Sequence, residues 1–409
     1  MTAALPALAK FRPNPHWAKL PLFDRKGWKT ARFGDVVRML KEQIDPVVDG
    51  VGRYVAGEHM ETENVHIRKW GNVGEGYLGP AFIRRFRKGQ VLYGSRRTYL
   101  KKVAVAEWDG VTANTTFVLE AVEGKLLQEL LPWLMLSERF TRHSIQESKG
   151  STNPYINFPD IAKFEFTLPP LDQQRRIAEI LWAMDTHLQS VLEIARSTAA
   201  TKVSVLSKML PRNGTFGAEV NQTISLQELC TETITYGIVQ AGPDTPGGIP
   251  YIRVTDMTNG PLKLEGTLRT TPEIAARFKR STVRSGEIVC ALRGPAGLLK
   301  VVPPELDGAN LTQGTARISL KDKALTSYVL RAFESPFVAK QVNIQAKGST
   351  FSELTLASLR QVSIPLLRDK DRSAFEQRVE SLDKAHAAAS ASAESSRRLL
   401  VELTNAFTT

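Results

Sequence analysis

The chain has 409 residues, with 54 Lys and Arg against 42 Asp and Glu, a formal net charge of +12 and a pI near 9.6. That length holds two or three domains, each able to bury its own core, and the basic balance favours a polyanionic partner such as nucleic acid. The two cysteines, Cys230 and Cys290, form neither a metal-ligand spacing nor a disulfide framework, which suits a reducing cytoplasm. No run reaches the length of a membrane span, and the N-terminal MTAALPALAKF, broken by Pro6 with no basic residue ahead of it, does not read as a signal peptide.

Residues 1–27 stand outside the pattern that follows, and no function attaches to them. From Trp28 the predicted elements run in order. A Tyr54-Val55 segment is followed by Met60; VLYG (91–94), KKVAVAEW (101–108) and TTFVLEA (115–121) read as strands, with Asp109-Gly110 as a hairpin turn. Leu126, Leu127, Leu130, Leu131 and Leu134 mark a helix. The loop Lys149-Gly150-Ser151-Thr152 comes next, and then a short apolar strand, FEFTL (164–168).

The same order then recurs. Tyr251-Ile252 with Met257 stands 197 residues after its counterpart, as does Arg284-Ser285-Gly286 after Arg87-Lys88-Gly89. Asp307-Gly308 and Lys347-Gly348-Ser349-Thr350 stand 198 residues after theirs. EIVCAL, LLKVV and TARISL take the strand positions, Tyr328, Val329, Phe333 and Val338 the helix, and QVSIPLL the last strand. Landmarks in one order, drifting by a single residue, argue for two copies of one α+β domain.

Each copy runs into a long helix. After Pro169-Pro170, with Asp172 as predicted N-cap, apolar residues fall at Ile177, Leu181, Met184, Leu188, Val191 and Ala195, steps of four and three that make a heptad seam. An extra step of four, through Ala199 to Val203, Leu206 and Leu210, predicts a stutter, and Pro211 with Gly214 predicts the end. The second helix carries Phe375, Val379, Leu382, His386, Ala389, Ala393, Ser396, Leu400, Leu403 and Phe407, four-three throughout. Its small middle residues favour close approach of another helix, so the two are expected to pair with each other rather than with a globular core; two separate amphipathic helices, each on its own domain, is the alternative. A helix from Leu171 to Leu210 would be a rod of roughly 60 Å. The predicted organisation is an extension (1–27), a first domain (28–168), a central helix (169–214), a second domain (215–367) and a C-terminal helix (368–409).

LPPLDQQRRIAEIL (168–181), the KGST loop ahead of it, YIRVTDM (251–257) and the two-fold repeat ending in long helices resemble the DNA specificity subunit of type I restriction-modification systems, from about Trp28 to the C-terminus. The resemblance implies an α+β fold of two repeated target-recognition domains, joined and spaced by two long antiparallel coiled-coil helices. It implies a non-catalytic chain that reads a bipartite target in double-stranded DNA and docks two modification methyltransferase subunits, with restriction/translocase subunits where these are present. S-adenosylmethionine would then belong to the modification partners, ATP and magnesium to a restriction partner, and no cofactor or metal to this chain. Helix residues expected to meet a partner or build the spacer are Gln173, Gln174, Arg175, Ile177, Leu181, Leu188, Val379, Leu382, Leu400 and Leu403. The second helix head departs from the pattern: it has Arg368, Lys370 and Arg372 where the first has Asp172, Gln173 and Gln174, so the two heads differ chemically for a partner. The alternative from another class is a two-domain DNA-binding or scaffold protein unconnected with DNA modification.

Enzymatic readings have less support. Asn153-Pro154-Tyr155 is similar to the Asn-Pro-Pro-Tyr motif of amino-methyltransferases but lacks its second proline, and the second copy continues as Phe351-Ser352. Gly50-Val51-Gly52 and Gly74-Glu75-Gly76 lie in polar loops without a βαβ context for a cofactor. His59 and His66, beside Glu58, Glu61 and Glu63, lack HExxH spacing and have no histidine counterpart in the second copy, so a solvated loop is expected there rather than a metal site. No Walker loop or nucleophile-base set is legible.

Duplex DNA attracts Lys and Arg through its phosphates and needs aimed donors such as Arg, Asn and Gln at its base edges. Predicted contacts are Arg96, Arg97 and Lys101, in a basic loop between strands, and Arg293 and Lys300 in its counterpart; Arg96 and Arg293 match at a shift of 197. Arg253 stands where the first copy has Ala56 and would help the halves read different sequences. The KGST loop offers a glycine turn that would bring Lys149 and Lys347 near the DNA backbone. A solvated basic hairpin and a purely structural turn are the competing readings.

Overall fold

The computed structural model describes residues 25–209, 220–258, 260–345 and 353–408. Two compact units divide the chain, one running up to Leu192 and resuming at Ser390, the other spanning Glu193–Ala389. The division falls inside both long helices, Leu171–Met209 and Asp369–Ala406.

In the first unit, Lys29–Arg32 pairs antiparallel with Glu165–Leu168, joining the start of the domain to the strand that feeds the long helix. A four-stranded sheet follows in the order Val37–Leu40, Thr116–Ala121, Val91–Gly94, Val103–Val105. Val91, Leu92 and Tyr93 are all buried because both faces of this sheet are covered. Val91 and Tyr93 join the core around Trp133 and Phe140, and Leu92 the smaller core of Val55, Met60, Phe86 and Val118. Arg53–Val55 lies parallel to Gly110–Ala113 in a second sheet, flanked by Gly71–Asn72 and Phe82–Phe86.

The Asp109-Gly110 hairpin expected from the sequence is not formed. Val103–Val105 and Thr116–Ala121 each pair with Val91–Gly94 instead of with each other, and Gly110 opens a strand of the other sheet. Glycine is required there by packing: a Cβ would lie 2.5 Å from the Phe86 ring and 2.7 Å from Trp108. The predicted helix at Leu126–Leu134 is also shorter. Its first residues form turns, and helix runs over Leu131–Leu136 and then Glu138–Gln146, broken at buried Ser137, whose Oγ accepts from the Phe140 N–H at 3.3 Å.

The second unit repeats this plan. Val220–Ser225 pairs with Ser363–Leu367; Thr235–Tyr236, Thr315–Ile318, Ile288–Ala291 and Leu299–Val301 form the four-stranded sheet; Ile249–Ile252 lies parallel to Asn310–Leu311. Helices Thr326–Glu334 and Pro336–Gln345 break at buried Ser335, whose Oγ accepts from the Val338 N–H at 3.3 Å. The duplication reaches single hydrogen bonds. Asp109 Oδ1 accepts from the Lys88 N–H at 2.9 Å, and Asp307 Oδ1 from the Ser285 N–H at 2.8 Å. Where the first unit has the strand Phe82–Phe86, the second has a short helix, Pro272–Arg277.

The long helices keep the expected seam up to Ala195 and then depart from prediction. Val203 is 55% exposed, whereas Val205 and Leu206 are buried and Thr198 and Lys202 are half-buried. Contacts therefore continue through 195, 198, 202 and 205, a heptad without a stutter. Lys202 hid the register: its stem lies in the seam and its ammonium pairs with Asp383 at 2.6 Å and Glu334 at 2.7 Å. The helix segments also do not pair only with each other. In the first unit Ile177, Leu181, Trp182 and Leu188 share one core with Trp133 and with Ala393, Leu400 and Phe407. In the second, Val205, Leu206, Phe375 and Val379 share a core with Tyr328 and Ile364. Within the second unit the segments run antiparallel, with Lys202 against Asp383 and His386 Nδ1 donating to the Ala195 carbonyl at 2.9 Å. Asp172 lies in the first helical turn rather than before it, ion-paired with Arg176 at 3.4 Å. The predicted stop at Leu210, Pro211 and Gly214 lies outside the described residues.

Candidate nucleic-acid interface

In the first unit the loop after Val91–Gly94 and the KGST loop are joined through Tyr155. Lys149 and Tyr155 exchange both backbone hydrogen bonds, at 2.8 and 2.9 Å, closing the loop over Gly150, whose φ of +86° a side chain would resist. Tyr155 also bridges to Arg96, and the Arg97 N–H donates to the Pro154 carbonyl at 2.7 Å. Arg96 is exposed, and its side chain has no partner among the described residues. Arg97 is exposed too, with Nε 3.3 Å from Asn153 Oδ1. Lys149 is half-exposed and donates to Asp160 at 3.0 Å, a hydrogen bond that raises its pKa. Arg96, Arg97, Lys149 and Tyr155 thus share one rim.

Lys101, expected to face DNA, is turned inward. Its ammonium sits between Glu63 at 2.8 Å and Glu138 at 2.5 Å, leaving the side chain 12% exposed. Two carboxylates on one cation leave it little capacity to meet a phosphate.

The second unit repeats the arginine bridge of this rim. Arg293 bridges through its backbone to Glu353 and donates Nε to that carboxylate at 3.0 Å. Lys300 is half-buried in the strand Leu299–Val301, opposite Val289. Arg253 takes no part in the rim bridges; its Nη2 lies 2.7 Å from Asp256 Oδ1 and its Nε 3.1 Å from Oδ2, and it also donates to the Gly266 carbonyl. Asp256 accepts from the Arg253 N–H at 2.8 Å, as His59 Nδ1 accepts from the Ala56 N–H at 3.0 Å, so the pair closes a turn common to both units. Lys347 and the second KGST lie outside the described residues.

Both histidines weighed as metal ligands are engaged. His66 lies 2.6 Å from Asp185 and 3.4 Å from Glu107. Burial pushes the imidazole down, but these two carboxylates outweigh it and hold the pKa at about 9. Among the described residues no group of three or more His, Cys, Asp or Glu is placed to hold a metal ion, and no helix is long and apolar enough to cross a membrane. Cys230 and Cys290 are buried free thiols, and burial raises their pKa values to about 11 and about 12.

At the head of the first long helix the glutamines serve the fold. Gln174 is 1% exposed; its Nε2 donates to the Lys125 and Pro169 carbonyls and its Oε1 accepts from the Leu127 N–H, all at 2.9 Å. Gln173 accepts from Trp28 Nε1 at 2.6 Å. Gln174, expected to meet a partner or build the spacer, leaves no face for a partner. Arg175 is exposed, Ile177, Leu181, Leu188, Val379 and Leu400 are buried in the cores, and Leu382 and Leu403 pack on their edges. Asn114 and Gln313, which no motif marks, stand beside the rims; the available signal was an amide side chain just ahead of a predicted strand in both copies.

The doubled α+β fold with long helices is that of type I restriction-modification specificity chains. The chain is similar in fold to the type I restriction-modification system S subunit from M. genitalium (14% identity, TM-score 0.60, covering 96% of this chain and 98% of that one). It is also similar to a chain from a structure of type I R-M complex assembly and conformational transition (20% identity, TM-score 0.56, 93% and 96%). Residues 25–194 match the family model of the type I restriction modification DNA specificity domain. The chain is 27% identical over 240 residues to the type I restriction enzyme EcoBI specificity subunit of Escherichia coli, a match spanning 53% of this chain and 50% of that subunit. It is 20% identical over 393 residues to the MjaVIII specificity subunit of Methanocaldococcus jannaschii, covering 87% and 86%. The resemblance read from LPPLDQQRRIAEIL and the repeat is to the same family that these comparisons name.

Proposed function

We propose that the chain is the DNA-reading, non-catalytic subunit of a type I restriction-modification complex. One observation carries this reading: the same domain occurs twice, and each copy aims an exposed arginine, Arg96 or Arg293, from the same backbone-bridged rim. Two readers in one chain suit a target of two short half-sites separated by base pairs that neither domain reads. Two modification methyltransferase subunits dock on the chain and carry S-adenosylmethionine; a restriction subunit, where present, carries ATP and magnesium. The relatives named as specificity subunits support the assignment, as does the net charge of +12, which draws the chain to phosphates.

The test is co-purification with the methyltransferase of the same host, followed by methylome sequencing. A split methylated motif that disappears when this gene is deleted is the expected result. A continuous motif, or a motif unaffected by the deletion, overturns the proposal.

A further inference from the structure

The rim holds a second polar side chain in each unit. The turn between Gly110–Ala113 and Thr116–Ala121 carries Asn114, and the turn between Asn310–Leu311 and Thr315–Ile318 carries Gln313. The hydrogen bonds around the two turns match. The Ser95 N–H donates to the Thr115 carbonyl at 3.1 Å and the Leu292 N–H to the Gly314 carbonyl at 2.8 Å, so the residue before each rim arginine is tied to the residue after each amide. On the other side of the arginine loop, the Ile156 N–H donates to the Ser95 carbonyl at 2.9 Å and the Leu354 N–H to the Leu292 carbonyl at 2.8 Å.

The amide residues are pinned by their own backbones as well. The Asn114 N–H donates to the Ala81 carbonyl at 2.8 Å and the Gln313 N–H to the Ile238 carbonyl at 2.9 Å. Those acceptors come from unrelated parts of the repeat, one just before the strand Phe82–Phe86 and the other just after Thr235–Tyr236. Two different segments thus hold the same turn residue in place. Asn114 is exposed and Gln313 half-buried, and neither side chain has a hydrogen-bond partner among the described residues.

We infer that Asn114 and Gln313 are specificity-determining residues, each reading an adenine in the major groove beside the base met by Arg96 or Arg293. An Asn or Gln side chain presents a donor and an acceptor side by side, which matches adenine N6 and N7, whereas Arg matches guanine O6 and N7. A rigid backbone under the amide fixes its reach, which bidentate readout requires. A merely structural turn residue would turn its amide back onto the chain, as Gln174 does.

The inference rests on the proposed function, and one experiment separates the two. The full-length chain with its modification subunits is offered a random duplex pool, and the bound DNA is sequenced for the wild type, Asn114→Ala, Gln313→Ala, Asn114→Asp and Gln313→Glu, with a thermal melt of each. No enriched motif with the wild type defeats the proposed function itself. If the inference is right, Asn114→Ala loses the adenine preference at one position of one half-site, discrimination there falling about 5- to 150-fold, and Gln313→Ala does the same in the other half-site only. The acid variants keep size and turn, and so report even if an alanine variant melts early. They should move the same position towards cytosine, whose N4 donates to a carboxylate. A split wild-type motif that all four variants retain, or that weakens evenly in both halves, overturns the inference.

Discussion

Arg97 and Gly294 occupy the same place in the two units and share a left-handed backbone, with φ of +51° and +67°. Lys101 and Gly297 form a second such pair at +46° and +85°; the equivalence is fixed by the next residues, since the Gly94 N–H donates to the Lys102 carbonyl as the Ala291 N–H does to Leu298. The loop needs the left-handed turn at both points, and only the second unit meets the need with glycine. A non-glycine residue there costs about 1 kcal/mol or more. Gly294→Ala should therefore destabilise the second unit by about 1 kcal/mol. Gly297→Ala should cost more, because its Cβ would also lie 2.7 Å from Val342 Cγ1. Chemical denaturation measures both. Arg97→Gly should leave stability unchanged or slightly raised while lowering the salt dependence of DNA binding by about one unit; a large loss of stability would mean that Arg97 is held by the fold and not for its charge.

The contact between His66 and Asp185 predicts a pH response confined to the first unit. The folded pKa of about 9 lies above the ordinary value of 6.5, so the stabilisation is complete below pH 6.5 and is lost as pH rises through 9. The loss should be on the order of 2–3 kcal/mol. Asp383, 198 residues after Asp185, is held instead by Lys202 and Arg331, both at 2.6 Å, which keep their charge over that range. Hydrogen exchange between pH 6.5 and 9.5, corrected for the intrinsic rate, should show loosening around His66 and Asp185 in the wild type and none in His66→Asn.

Gln174→Leu should destabilise the first unit by about 2–3 kcal/mol, since it leaves the Leu127 N–H and two carbonyls without their partner. The same variant should read unchanged half-sites in a selection from random DNA. Altered half-sites with normal stability would move Gln174 from the fold to the interface.

The register of the first long helix is tested by charge insertion. Val203→Lys should change stability by less than about 0.5 kcal/mol, because the position is exposed. Val205→Lys should cost several times more, since it forces an ammonium into an apolar core. Lys202→Met removes one of the two cations that Glu334 and Asp383 share, leaving them Arg331 at 3.2 and 2.6 Å, and should also destabilise, by about 1 kcal/mol. A seam with a stutter reverses the order of the two valines in thermal melts.

Much of the architecture was legible in the sequence because a duplication writes the same spacing twice. The offset of 197 to 198 residues, the paired landmarks and the four-three seam of the second helix all reappear as matched strands, matched hydrogen bonds and a buried stripe. Periodicity depends only on neighbours along the chain, so it can be read without knowing the fold. It misled where a polar residue took an apolar position: Lys202 broke the pattern while its stem remained in the seam. It misled again at Asp109-Gly110, where the glycine answers to Phe86 and Trp108 and not to a turn.

Side-chain roles were decided only by the tertiary structure. Lys101 and Arg96 look alike in the sequence, but Glu63 and Glu138, one from a distant loop and one from a helix start, close on the first, while the second stays exposed. Gln174 looks as available as Arg175 until the turn at Lys125–Leu127 packs onto it. Asn114 and Gln313 belong to no motif, and they come into view only when strands far apart in sequence set each beside its arginine. The sequence by itself determined the repeat, the charge and the helices, because these follow from composition and local spacing. Which cation faces solvent and which is neutralised depends on partners 37 or more residues away, and that distance is closed only by folding.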